Sequence, residues 1–197
     1  MEEYILKAAF VLVFMAYCAV RVPFSRRSKQ YQPVRSYRTT AEEMKIFIVW
    51  VFMALLPFLC VLTPWFNRFS WDIALWGRIT ALVLLVLNVG FFYHIHKQLG
   101  DNWSAVLEVK EKHQLVTAGV YKYIRHPMYT QCWIWVLLQG IVIGNWLVEL
   151  TGIIAWGFLY FTRVGHEEKL MLETFGEQYR QYMQRTGRLL PLFFKNR

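Results

Sequence analysis

Residues 113–129, with the sequence HQLVTAGVYKYIRHPMY, contain the densest group of side chains that could bind a polar ligand. The segment combines imidazoles, phenols and an Arg-His-Pro step between two long apolar regions. Pro127 favours an extended His126 and suits the first turn of a helix. A helix N-terminus can bind an anion such as a carboxylate, and Arg125, His126 and Tyr129 could add side-chain bonds. The alternative interpretation is a belt of Tyr and Arg at a membrane interface.

A second polar group consists of Arg163 and Glu167, which are four residues apart and therefore share one face of a predicted helix. His166 and Glu168 flank them. Taken alone, the pair is typical of a basic anchor at a helix end and a surface ion pair worth under ~1 kcal/mol. It becomes a candidate site only if the fold brings it beside residues 113–129.

Several other chemistries are not supported by the residue spacings. His94 and His96 are two residues apart and point about 200 degrees apart on a helix, and the sequence has no H-x3-H or C-x2-C spacing for a metal. No two glycines occur at the G-x-G spacing of a dinucleotide-binding fold. The three cysteines lie in apolar runs, which predicts buried inert thiols, at Cys18, Cys60 and Cys132.

The composition indicates an integral membrane protein. The 197 residues are 56% hydrophobic and only 18% charged, against roughly 25% charged in soluble proteins. Apolar runs at 4–22, 44–63 and 73–93 each approach the roughly 20 residues that a transmembrane helix needs. We expect Pro57 to kink the second helix, and Asn88 to bond to a neighbouring helix rather than to take part in chemistry.

Two shorter apolar runs, 128–143 and 146–162, are separated only by Gly144 and Asn145. This tight turn predicts an antiparallel helical hairpin. The prediction is therefore an all-α integral membrane protein with five transmembrane helices, of which the last two form the hairpin. From Gly165 onward, apolar residues recur at helical spacing among charges, which predicts a C-terminal amphipathic helix on the membrane surface.

The net charge of +9 is concentrated in three segments, 21–45, 97–125 and 169–197. Five crossings place these segments on one side of the membrane, and the poorly charged segments near Arg68 and Asn145 on the other. The positive-inside rule then predicts a cytosolic basic face and an N-terminus outside. This distribution disfavours nucleic acid as a partner. The first apolar run lacks signal-peptide features and is expected to remain; the cell membrane is favoured, with the endoplasmic reticulum as the alternative.

Residues 102–191 carry a combination of motifs that resembles the isoprenylcysteine carboxyl methyltransferase family, within a broader membrane group that includes phospholipid methyltransferases. The motifs are H-x-L-V-T-x-G-x-Y at 113–121, R-H-P-x-Y at 125–129, the hairpin, R-x-x-x-E at 163–167 and F-G-E-x-Y at 175–179. The apolar runs assign three helices and a basic loop to residues 1–99, and with the resemblance we expect 100–197 to hold the cofactor-binding loop, hairpin and amphipathic helix of one integrated catalytic domain.

The resemblance also implies the chemistry. Such enzymes use S-adenosylmethionine, yield S-adenosylhomocysteine, and methylate the C-terminal carboxylate of a prenylated cysteine that enters from the bilayer. No metal is implied. Arg163 would hold the acceptor carboxylate and orient Glu167, the second catalytic residue, toward the cofactor. The implied cofactor-binding residues are Glu108, His113, Gln114, Leu115, Val116, Tyr121, His126, Pro127, Met128, Tyr129 and Glu167.

Three alternatives remain at this point: a phospholipid N-methyltransferase, a sterol-type reductase that uses NADPH, and a non-enzymatic membrane scaffold. Proton chemistry separates the two methyltransferases. A terminal carboxylate with a pKa of roughly 3.5 is ionised at neutral pH and needs no base, whereas a phospholipid amine must first lose a proton. A guanidinium at Arg163 would attract the carboxylate and repel the ammonium, so the sequence favours the carboxylate.

Overall fold

The protein is described by a computed structural model, which covers residues 1–28, 30, 33–36, 39–104, 108–110 and 114–192. The described regular elements are α1 (Glu2–Ser28), β1 (Pro33–Ser36), α2 (Thr40–Trp50), a π-helical turn (Val51–Leu55), α3 (Leu56–Leu62), α4 (Leu75–Leu99), β2 (Glu108–Lys110), α5 (Pro127–Val136), α6 (Gln139–Ile143), α7 (Trp146–Phe175) and α8 (Glu177–Arg185), with short 3-10 turns between some of them.

Four helical segments are long and apolar enough to cross a membrane: α1, the combined segment Thr40–Leu62, α4 and α7. The predicted all-helical membrane protein is confirmed at this level. The segment Pro127–Ile143 is apolar but shorter than these four. One feature was not predicted: β1 and β2 form a small antiparallel sheet, which joins two of the basic segments outside the helices.

The second segment is distorted just before Pro57. Proline has no N–H to donate and clashes with the carbonyl of the preceding turn. The helix adapts with the π-helical turn Val51–Leu55, in which the N–H of Leu56 bonds to the carbonyl of Val51. The kink at Pro57 stays a prediction, and what the structure shows here is a wider helical turn.

The amphipathic helix predicted from Gly165 onward does not begin there as a separate element. α7 continues without a break for 30 residues to Phe175, because residues 163–175 contain no proline and are rich in good helix formers. The chain turns at Gly176, whose φ of 54° favours glycine. The amphipathic segment is therefore split between the end of α7 and the nine-residue α8, which buries Tyr179 and Tyr182.

α5 and α6 pack against α7. The Gly144–Asn145 turn connects α6 to α7. Gly144 adopts a left-handed conformation, and the Asn145 side chain caps α7 by accepting a bond from the N–H of Val148. A Cβ added at Gly140 would lie 2.5 Å from the Cβ of Glu149. Only glycine allows this close approach.

The connecting segments gather at two opposite ends of the bundle. At one end, the N–H of Trp71 bonds to the carbonyl of Gly144 at 2.8 Å, and Asn145 Nδ2 donates to the carbonyl of Phe66 at 3.1 Å. At the other end lie the β1–β2 sheet and a bridge between Ile124 and Gly187. The described parts of the three basic segments thus meet at the end opposite the hairpin turn, as the charge pattern predicted.

The core lies between α1, α3, α4, α5 and α6, where Phe10, Leu85, Trp135 and Val142 are almost wholly buried. Asn88 of α4 lies in this apolar region and donates from Nδ2 to the carbonyl of Gln131 at 3.1 Å. Its predicted role as a bond between helices is confirmed.

Candidate functional site

One cavity of about 680 Å³ lies between α1, the Thr40–Leu62 segment, α5 and α7. Residues 102–104 and 114–116 and two tyrosines of α8 also line it. The cavity is polar where it meets the basic end of the bundle and apolar farther along the helices. A single continuous space therefore adjoins both polar groups singled out in the sequence.

Most of the predicted site residues line this cavity. They are Gln114, Leu115, Val116, Tyr121, His126, Met128, Tyr129, Arg163 and Glu167. Pro127 is buried at the start of α5 but is not part of the cavity wall. Two predicted positions cannot be assigned a place: His113 lies outside the described residues, and Glu108 lies in β2 with its side chain outside them.

His126 is held between two adjacent glutamates of α7. Its Nδ1 lies 3.5 Å from Glu167 Oε1, and its Nε2 lies 3.3 Å from Glu168 Oε1. The hydroxyl of Tyr129 donates to Glu167 Oε2 at 2.5 Å. Burial opposes a charge on His126, but the bonds to Glu167 and Glu168 outweigh it and raise the pKa of His126 above its usual value. These contacts fix the Glu167 carboxylate at the cavity wall.

Glu168 is the centre of a second set of contacts. Its carboxylate accepts bonds from Arg125 Nε at 3.2 Å and from Arg188 Nε at 3.1 Å. The bond to Glu168 raises the pKa of Arg188. Arg125 also donates to the carbonyls of Met183 and Thr186. This cluster attaches the segment after α8 to the start of α5; sequence reasoning treated Glu168 only as a neighbour of Glu167 and missed Arg188.

The predicted anion site at the start of α5 is only partly available. The N–H of Arg125 donates to the carbonyl of Gly187 at 2.8 Å, and the N–H of His126 donates to the carbonyl of Arg188 at 3.1 Å. The chain after α8 therefore takes the place expected for a ligand at these two groups. The Arg125 side chain lines the cavity, and its described contacts are with the Glu168 carboxylate and two backbone carbonyls.

Arg163 pairs with a residue that sequence reasoning did not name. Its Nη1 lies 3.2 Å from Glu42 Oε1, and both side chains are less than a tenth exposed. Glu42 lies in the first turn of α2, where its N–H donates to the capping Oγ1 of Thr39 at 3.2 Å. Its sequence signal was weak: an acidic pair, Glu42 and Glu43, that follows a strongly basic loop.

Aromatic rings close the apolar part of the cavity. Phe14 packs against Phe58 at a centroid distance of 4.9 Å and against Trp135 at 5.9 Å. Trp135 is nine positions along α5 from His126, a distance of about 13 Å in a helix. The three rings are the cavity-lining side chains farthest along α1, α3 and α5 from the polar end. We refer to them as the aromatic floor.

Comparison with known proteins shows which family the sequence of this chain resembles. The sequence pattern of the isoprenylcysteine carboxyl methyltransferase (ICMT) family matches residues 78–173. The predicted family resemblance is confirmed. The matched span contains every predicted site residue from Glu108 to Glu167, whereas Glu42 and Arg188 lie outside it.

The alignments with named relatives include only part of each protein. The protein-S-isoprenylcysteine O-methyltransferase of Schizosaccharomyces pombe is 34% identical over 98 residues, which are 48% of this chain and 41% of that protein. An Arabidopsis thaliana protein, protein-S-isoprenylcysteine O-methyltransferase B, is 27% identical over 128 residues, or 64% of this chain and 60% of that protein. The human protein is 29% identical, with coverages of 59% and 42%. The chain spans about half the length of these relatives.

The fold is similar to a solved structure, that of the eukaryotic intramembrane Ras methyltransferase ICMT determined without a monobody. The match has a TM-score of 0.55 and 23% identity, and it covers 93% of this chain and 68% of the other. It includes almost the whole chain, so the first two helical segments, which carry no family motif, share the arrangement as well.

Proposed function

We propose that this protein transfers a methyl group from S-adenosylmethionine to the C-terminal carboxylate of a prenylated cysteine, with S-adenosylhomocysteine as the second product. The observation that carries the proposal is the single cavity that joins Arg163, Glu167 and His126 to an apolar space within the helices. The names of the relatives, all O-methyltransferases of isoprenylcysteine, support the same reaction.

The residues at the polar end suit such a cofactor. When bound, S-adenosylmethionine supplies an electrophilic methyl group on a sulfonium, which an attacking carboxylate oxygen takes up. The Glu167 carboxylate, fixed by Tyr129 and His126, provides a negative group for the cationic portion of the cofactor. Gln114, Leu115 and Val116 add polar and apolar contacts along the wall. A volume of about 680 Å³ is within the usual range for ligand pockets.

Arg163 is proposed to hold the acceptor. Its planar guanidinium can donate two parallel bonds to a carboxylate, which fixes both the position and the orientation of the attacking oxygen. A terminal carboxylate is already ionised at neutral pH, so the protein has no proton to remove. The contribution of Arg163 is therefore orientation at near-attack distance. The same positive charge disfavours an ammonium acceptor.

The lipid portion of the acceptor would occupy the apolar part of the cavity. The aromatic floor and the walls contributed by Ile46, Val49 and Met53 provide an apolar environment for a prenyl chain. The space lies between membrane-length helices, which suits entry from the bilayer. We propose that the polar end faces the cytosol because the basic segments gather there, in the cell membrane or alternatively the endoplasmic reticulum.

The test is a substitution of Arg163 by lysine, assayed with purified protein in detergent. Lysine keeps the charge but lacks the planar fork. We expect turnover of farnesylcysteine to fall about 100-fold, since small errors of position are costly, while calorimetry shows unchanged affinity for S-adenosylmethionine. The exposed Arg180→Lys serves as the control, with both quantities expected at the wild-type level.

Two results would contradict the proposal. Methylation of phosphatidylethanolamine but not of farnesylcysteine would favour the N-methyltransferase. Binding of NADPH in place of S-adenosylmethionine would favour the reductase.

A further inference from the structure

The pairing of Arg163 with Glu42 places a carboxylate of the protein where the proposed function requires the carboxylate of the acceptor. The Nη1 and Oε1 atoms are 3.2 Å apart, and both side chains are less than a tenth exposed. Glu42 is not freely mobile, because the Thr39 cap fixes its backbone in the first turn of α2. The guanidinium is thus paired with a carboxylate of the protein itself.

Electrostatics favours the replacement of Glu42 beside Arg163 by another carboxylate over the loss of the ion pair without replacement. Breaking a buried ion pair without replacing it is strongly unfavourable, so the contact of Arg163 with Glu42 is more readily exchanged for another anion than lost outright. Two carboxylates close to one guanidinium repel each other, and the repulsion is large where water is excluded. The binding of an acceptor carboxylate to Arg163 therefore weakens the hold of Arg163 on Glu42.

Glu42 is also linked to the cavity wall through its helix. Glu42, Ile46, Val49 and Met53 follow one another at spacings of four, three and four residues, which places them along one side of the second segment. Ile46, Val49 and Met53 line the cavity. A change in the contacts of Glu42 is thus transmitted to the wall against which the prenyl chain would lie.

We propose that Glu42 is the resting partner of Arg163 and competes with the acceptor carboxylate for it. The Glu42–Arg163 pair breaks when a carboxylate binds, and it forms again once methylation has converted that carboxylate into a neutral ester. Glu42 acts through Arg163 and is a positioning residue that favours release of the ester. This inference rests on the proposed function of Arg163.

The experiment compares farnesylcysteine with its methyl ester, which carries one more methyl group and lacks the negative charge of the carboxylate. Their dissociation constants are measured by calorimetry in detergent, without cofactor, for the wild type and for Glu42→Gln. Glutamine has nearly the same shape but no charge. We expect farnesylcysteine to bind Glu42→Gln about tenfold more tightly, equivalent to about 1.4 kcal/mol, and the ester to bind with unchanged affinity. Glu43→Gln, an exposed position on the same helix, is the matched control and should change neither.

A second measurement covers the case in which Glu42→Gln weakens the fold. Its melting temperature should fall without ligand, because Arg163 loses its ion pair with Glu42, and farnesylcysteine but not the ester should restore it. Glu42→Asp keeps the charge on a shorter side chain, and its affinity for farnesylcysteine should lie between those of the wild type and Glu42→Gln.

The inference would be overturned if Glu42→Gln preferred the carboxylate over the ester no more strongly than the wild type does. A different pattern identifies failure of the proposed function: wild-type protein that does not distinguish carboxylate from ester, with no change on Arg163→Lys.

Discussion

The contacts of Glu168 predict a large effect of a small substitution, Glu168→Gln. This carboxylate is only 5% exposed and accepts bonds from Arg125 and Arg188, while His126 Nε2 lies 3.3 Å away. Glutamine preserves the size of the side chain but removes its charge. The substitution therefore leaves buried cationic groups without their anion.

The magnitude follows from the exposure of each partner. Loss of one member of a buried ion pair costs about 3–5 kcal/mol. The Arg125 side chain is 9% exposed, so its contribution is counted in full, whereas that of Arg188 is 46% exposed and is discounted for solvent screening. We expect the free energy of unfolding to fall by about 3 kcal/mol.

The assay is reversible unfolding of the purified protein in detergent, followed by tryptophan fluorescence. Glu177→Gln is the matched control: Glu177 pairs with Arg180 at 3.6 Å, and both side chains are about two thirds exposed. Its expected cost is under ~1 kcal/mol. Because Glu168 attaches residues 186–189 beside His126, Glu168→Gln should also weaken binding of S-adenosylmethionine, which calorimetry would detect. If the two variants lose equal stability, the argument that burial makes this cluster important is wrong.

Two further predictions concern the cavity and the membrane. Phe58→Ala removes one ring of the aromatic floor and makes room for a longer prenyl chain, so the ratio of kcat/KM for geranylgeranylcysteine to that for farnesylcysteine should rise about tenfold, given the usual energy of extra apolar contacts. The control Phe161→Ala, at an exposed position, should leave this ratio unchanged. An unchanged ratio in Phe58→Ala would show that the end of the prenyl chain does not lie against the aromatic floor. For the membrane orientation, Asn67→Cys and Lys122→Cys are each introduced into a variant otherwise free of cysteine. An impermeant thiol reagent should label Asn67→Cys from outside and Lys122→Cys only from the cytosol. Labelling of both from the same side would refute the proposed orientation.

The sequence by itself determined the class of fold and most of the candidate site. Long apolar runs must satisfy their backbone polar groups internally within a bilayer, so they predict helices directly. The candidate residues that line the cavity were predictable because they lie in short motifs, such as Arg125 to Tyr129 and the Arg163–Glu167 spacing, whose chemistry can be read locally. The distribution of basic residues likewise predicted which connecting segments gather at one end.

The tertiary structure alone decided which charges pair. Glu42 and Arg163 are separated by 121 positions in the numbered sequence, and no local pattern links them. Arg188 reaches Glu168 only because the chain turns at Gly176 and returns over the start of α5. Burial gives these contacts their strength, since an ion pair is weak in water and strong where water is excluded. Burial is a property of the packed helices, so the same residues on an isolated segment would not reveal it.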